Sequence, residues 1–223
     1  MPVPYRNRTE AGRFLAEKLA GYARDPDLLV LALPRGGVPV AYEVARALGA
    51  PLDVFLVRKL GVPGHEELAM GSIATGGVRF LNENLVRKLR IPPGVISDVV
   101  AAESKELRRR ERAYHGDRPA PDARGRTVIL VDDGLATGST MRGAVAALRR
   151  QDPRRIVVAV PIAAPSTCEE FQSEVDEVIC ARTPEPFYSV GLWYKDFSQT
   201  SDDEVRALLA RAARERPPAG NGA

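Results

Sequence analysis

The chain has 223 residues, 44% of them hydrophobic and 27% charged, with a formal net charge of +3 at pH 7. These values fit one globular unit and exclude collagen, a coiled coil or a wholly disordered chain. No apolar run approaches the ~18 residues of a membrane span, and the first residues lack the apolar stretch of a signal peptide, so a cytoplasmic location is expected.

In chain order, a helix is expected over residues 9–22, then an apolar strand over 28–33. Pro34-Arg35-Gly36-Gly37 forms a turn into a helix over 38–48. A second strand, 52–57, ends at Arg58 and Lys59, and a Gly- and Pro-bearing loop follows over 60–68. Residues 69–74 and 78–81, joined through Thr75-Gly76-Gly77, read as a β-hairpin. A charged helix is expected over 97–114, with a polar connector over 115–125. Acids interleave with its arginines, so it reads as a solvated face rather than a nucleic-acid surface.

The strand 127–131 precedes the loop 132–139, a helix over 140–150, a strand over 155–160, a helix over 165–174 and a strand over 176–181. A final helix spans 202–213, and 214–223 reads as a frayed tail. The five strand candidates are Val-, Leu- and Ile-rich without alternation, as strands covered on both faces are. Strand–helix alternation implies a doubly wound α/β fold with a mostly parallel five-stranded sheet. Ligands in such sheets bind beyond the carboxyl ends of the strands.

Cys168 and Cys180 are too few for a disulfide scaffold and lack metal-ligand spacing, so both read as packing residues. With only His65 and His115 in the chain, a multi-histidine zinc site is excluded. His65 reads as a solvated loop residue, with a general acid as the sharper alternative.

The most informative stretch runs from Val128 through Val131-Asp132-Asp133-Gly134-Leu135-Ala136-Thr137-Gly138-Ser139-Thr140. A strand delivers two carboxylates, and a loop of small residues then opens a helix. Backbone N–H groups in such a loop, with the helix N-terminus behind them, can cradle a phosphate. Gly138 permits close approach, and Thr137, Ser139 and Thr140 add hydroxyls. Carboxylates beside a phosphate need a spacer, and the hydroxyls of a ribose 5-phosphate or Mg²⁺ can provide one. The Gly-Lys-Ser/Thr element of a Walker loop is absent.

This pattern resembles the ribosyl-phosphate signature of the type I phosphoribosyltransferases. The resemblance implies that Asp132 and Asp133 hold the ribose hydroxyls of phosphoribosyl pyrophosphate and take part in Mg²⁺ binding. It implies that the backbone of Ala136, Thr137, Gly138, Ser139 and Thr140 holds the 5-phosphate. Arg35, Gly36 and Gly37 would form the pyrophosphate loop, where the family often has a cis peptide. Arg58 and Lys59 would face the departing pyrophosphate, and residues 60–81 would form a flexible hairpin lid.

In the family a hood covers the acceptor base. Five of the thirteen aromatic residues fall within 187–197, and Trp193 or Tyr188 could stack on a base there. Family members acting on 6-oxopurines carry Asp at the position of Ala136, so hypoxanthine or guanine is a poor candidate acceptor.

The implied organisation is a core over 1–186, a hood and helix over 187–213 and a tail. The implied activity is Mg²⁺-dependent transfer of ribose 5-phosphate from the donor to a nucleobase. Partners would be small molecules, with no nucleic acid or membrane, in a homodimer as is frequent in the family. A non-catalytic protein that senses the donor is the alternative.

Overall fold

The computed structural model describes residues 3–115 and 121–215. The helix α1 (Arg8–Lys18) is capped by Asn7, whose side chain accepts from the Glu10 N–H. The strands β1 (Leu28–Ala32) and β2 (Leu52–Val54) flank helix α2 (Gly37–Leu48), which ends at Gly49 in the left-handed region. The strands β3 (Val57–Val62), β4 (His65–Ala74) and β5 (Val78–Leu81) come next. Helices α3 (Glu83–Lys88) and α4 (Pro93–His115) lead to the second half of the chain. That half runs β6 (Thr127–Val131), α5 (Ser139–Arg149), β7 (Arg155–Val160), α6 (Pro165–Phe171), β8 (Glu177–Cys180) and α7 (Asp202–Glu215).

The main sheet has the order β2-β1-β6-β7-β8 and every pairing in it is parallel. Burial explains the non-alternating strands. In β1, Leu28, Val30 and Ala32 enter the core beneath α2, α4 and α7, while Leu29 and Leu31 enter the core beneath α5 and α6. In β6, Ile129 and Val131 face the first core, and Val128 and Leu130 the second. Both faces are covered, so each side chain along these strands must be apolar.

The chain leaves β1 toward β2 on one side, and β6 lies on the other. The switch point of the sheet therefore falls between β1 and β6, where this architecture opens a crevice. Ala32 pairs with Val131, and the Leu33 N–H donates to the Val131 carbonyl at 2.9 Å. The turns after the two strands thus leave the sheet side by side.

Three expectations need correction. Residues 60–68 are not a loop: β3 runs to Val62 and β4 starts at His65, with Pro63-Gly64 as a two-residue turn, Gly64 at φ 78°. Leu60, Val62 and Met70 are buried in the first core, so burial fixes this hairpin where its Gly and Pro content suggested irregularity. With β5 it forms a separate antiparallel sheet, β3-β4-β5. The second strand is also shorter than expected. It ends at Val54, and residues from Val57 onward belong to the small sheet.

The cysteines are the third correction. Cys168 on α6 and Cys180 on β8 form a disulfide across a Cα–Cα distance of 6.5 Å. A five-residue connection turns the chain back from α6 into β8 and brings them face to face, at the edge of the second core.

The helix α7 extends past 213 to Glu215, which accepts a hydrogen bond from the Tyr42 hydroxyl at 2.5 Å. The rest of the expected tail, and residues 116–120 of the expected connector, lie outside the described residues. No helix among the described residues is long and apolar enough to cross a membrane.

Candidate functional site

Helices α2 and α5 begin at the ends of β1 and β6, so two positive helix termini face the crevice together. The peptide bond between Pro34 and Arg35 is cis. Gly36 and Gly37 bring this turn directly onto the carboxylate pair. A Cβ on Gly36 would stand 2.1 Å from Asp133 Oδ2, and one on Gly37 would stand 2.8 Å from the Val131 carbonyl oxygen and 3.2 Å from Asp132 Oδ1. At Gly37 the obstruction is backbone, so only glycine fits, and a side chain at Gly36 would have to push the Asp133 carboxylate aside.

Across the crevice, Gly138 caps α5 at φ 72°, a conformation that favours glycine. A Cβ there would lie 2.5 Å from the Phe171 ring. The loop rests on α6: the Thr167 hydroxyl donates to the Ala136 carbonyl at 2.6 Å. Arg142 donates to the Thr137 carbonyl at 2.8 Å while Glu174 holds its Nε at 2.7 Å. The carbonyls of Ala136 and Thr137 are thus tied inward to the protein. Ala136, Thr137, Ser139 and Thr140 are exposed at the mouth. This is the arrangement a phosphate cradle requires.

Asp132 and Asp133 sit between the two turns. Asp132 Oδ1 accepts the Asp133 N–H at 2.8 Å. Burial, and then the neighbouring Asp133 charge, hold the Asp132 carboxyl well above the usual carboxylate range. Burial also raises Asp133, and Arg8 partly offsets it. Arg8 Nε lies 2.8 Å from Asp133 Oδ2, and the two side chains are only 11% and 14% exposed. Arg8 also donates to the Ser198 carbonyl at 2.7 Å, and its guanidinium lies 4.1 Å from the centre of the Phe197 ring.

Arg8 is 125 residues from its partner, and no pattern around it in the sequence marks the pairing. Among the described residues, no group of three or more His, Cys, Asp or Glu could hold a metal ion.

The segment 187–197 folds over this end of the sheet. Val190 lies against Gly134, and the Tyr194 hydroxyl donates to the Asp133 carbonyl at 2.5 Å. Tyr194 stacks on Phe197 and packs against Tyr5, so Tyr194 is the ring that reaches Asp133, with Phe197 beside it over Arg8. Trp193 instead packs against a satellite core of Tyr5, Ala11, Ile162 and Tyr194, and Tyr188 is exposed.

Arg58 and Lys59 do not stand at the carboxyl end of a main-sheet strand. They belong to β3, where Arg58 Nε pairs with Glu103 of α4 at 2.6 Å and Lys59 is exposed. The early end of β2 moves them off the sheet that carries Arg35. His65 is exposed at the start of β4, and His115 is buried with its Nε2 2.7 Å from Asp53 Oδ1.

Residues 5–191 match the phosphoribosyl transferase domain family. A crystal structure of the protein TT1426 from Thermus thermophilus superposes with a TM-score of 0.84 at 41% identity, covering 94% of this chain and 99% of that one. A Mycobacterium tuberculosis protein, provisionally named a phosphoribosyl transferase, is 44% identical over 216 residues. The match covers 97% of this chain and 48% of the relative, so the chain spans about half the length of that protein. The bifunctional protein PyrR of Roseiflexus is 36% identical over 126 residues, 55% of this chain and 63% of that protein. With its parallel sheet, paired turns and central carboxylates, the chain belongs to the phosphoribosyl transferase domain family.

Proposed function

We propose that this protein transfers ribose 5-phosphate from phosphoribosyl pyrophosphate to a nitrogenous base, releasing pyrophosphate. One observation carries the reading: two glycine turns and two helix N-termini flank a partly buried carboxylate pair at the switch point of the sheet. That spacing suits a molecule with a phosphate at one end, a diphosphate at the other and hydroxyls between them. The loop 136–140 takes the 5-phosphate, and Asp132 and Asp133 take the ribose hydroxyls. Arg35, Gly36 and Gly37 take the near end of the diphosphate. No nucleophilic side chain is needed, because a base nitrogen attacks ribose C1 as the C1–O bond to pyrophosphate breaks. The chain contributes placement and charge stabilisation.

Mg²⁺ fits this donor set in one way. Two carboxylates without a third protein ligand among the described residues suit an ion that draws most of its oxygens from substrate and water. Asp132 and Asp133 would hold it, and it would neutralise diphosphate charge. The lid role of residues 60–81, a cytoplasmic location and a homodimer belong to the same reading. The aromatic cover supports a planar acceptor, with Tyr194 rather than Trp193 closest to the sugar end.

The second reading is a donor-sensing protein without turnover. The pairing of Arg8 with Asp133 favours it, since a carboxylate already neutralised by an arginine is a weaker ligand for hydroxyls. An assay for pyrophosphate release with a panel of bases separates the two. Asp133→Asn should lower donor affinity about tenfold in calorimetry, by loss of charge-assisted contacts. Unchanged affinity would remove Asp133 from the site.

A further inference from the structure

A polar cavity of about 300 Å³ opens beside the cis turn, between α4 and the start of α7. Pro34, Arg35, Arg109, Arg110, Tyr114 and Asp202 line it. Three of these are guanidinium groups from two distant parts of the sequence. Glu106 holds Arg109 through Nε and Nη2 at 2.8 and 2.9 Å, and Arg110 through Nε at 2.9 Å. Their remaining N–H groups have no protein hydrogen-bond partner among the described residues.

Among the described residues, Asp202 supplies the only carboxylate in the cavity wall. It accepts the Tyr114 hydroxyl at 2.6 Å and stands 3.8 Å from Arg35 Nη1, the outer limit of an ion pair. Three cations thus face one carboxylate inside the cavity, and a second, Glu106, behind it. The contact made by Asp202 on Arg35 is long and half-exposed, so a stronger anion can replace it.

We propose that this cavity is the outer half of the diphosphate site. Arg109 and Arg110 bind the terminal phosphate of a diphosphate whose inner phosphate rests on the 34–37 turn. Arg35 bridges the two halves, and Asp202 is an internal competitor that occupies Arg35 until the diphosphate arrives. Guanidinium forks match phosphate oxygens in geometry and charge. A diphosphate carries one phosphate for each wall of the cavity, the 34–37 turn on one side and α4 on the other. The helix face that reads as mere solvated charge in the sequence thereby becomes part of the site, and α7 becomes its gatepost. The inference rests on the reading of the 34–37 turn as the diphosphate end.

The test is calorimetry on the full chain with inorganic pyrophosphate, and separately with ribose 5-phosphate. The variants are R109A/R110A, R35A and D202N. Arg109 and Arg110 are 69% and 44% exposed, so their removal leaves the fold intact, as thermal melts will show. The double variant should weaken pyrophosphate binding about tenfold or more while ribose 5-phosphate binds as before. D202N should tighten pyrophosphate binding about threefold, because the competing charge is gone while the amide oxygen still accepts from Tyr114.

Equal pyrophosphate affinity in wild type and the double variant overturns the inference. If R35A loses affinity in that case, the donor reading stands without it. Loss in the double variant with none in R35A also overturns the bridged arrangement. If wild type binds neither compound, the inference and the donor reading fall together.

Discussion

At the scale of single residues, Arg8 does most to set the state of the carboxylate pair. Its guanidinium satisfies Asp133, ties the chain at Ser198 and lies over Phe197. Arg8→Ala strands a carboxylate that is 14% exposed. It should cost about 3 kcal/mol in denaturant unfolding, the range for breaking a buried pair. Arg8→Lys should recover little of this, since one ammonium cannot make both contacts and stack.

Asp132 acts in the opposite direction. Its raised carboxyl favours the folded state in full below the ordinary value of 3.8, and that contribution is lost as the pH rises through the raised value. Asp132→Asn should therefore be more stable than wild type by about 1 kcal/mol at neutral pH, with the gap closing toward pH 3, and should lose donor affinity. A melt series in pH that shows no crossover toward equality would contradict the burial of that charge.

At the scale of elements, the phosphate loop is only as well placed as the short helix beneath it. α6 meets Gly138 through Phe171 and holds Ala136 through Thr167. Gly138→Ala must fit a methyl group against an aromatic ring at a positive φ. The expected cost is about 2 kcal/mol in chemical unfolding, with ribose 5-phosphate affinity falling in the same variant. A destabilised variant with unchanged affinity would place the phosphate elsewhere.

The elements also show what the sequence could reveal. β1, β6 and β7 are legible because burial on both faces leaves a run of apolar residues with no polar break. The turn from Asp132 to Thr140 is legible because its backbone demands small residues and its ligand demands carboxylates. β3 is not legible, because its glycine and its Pro-Gly turn carry the same letters as an irregular loop. Only the burial of Leu60 and Val62 separates the two. Arg8, Arg109 and Arg110 are ordinary members of charged helices until the fold brings each beside a crevice.

At the scale of the whole molecule, the fold draws one site from the first helix, two strand ends and the last helix. Damage far from the carboxylates should therefore reach them. The disulfide extends this logic to covalent connectivity. It closes residues 168–180 into a ring, and that ring contains the second half of α6, the support of the phosphate loop. Removing it through Cys168→Ser should lower stability by about 3 kcal/mol, by the loop-closure argument.

A chain cut once inside that ring remains a single covalent molecule. A single cut after Glu174, at a specific protease recognition sequence inserted there, should yield one band on a gel without reductant and two with it. Two bands without reductant would mean that the bond is absent in solution. The nicked and unreduced protein still has α6 fastened to β8, so its 5-phosphate loop keeps its floor. Here a broken backbone and a working site can coexist, and the sulfur bridge carries the connection that the peptide bond has lost.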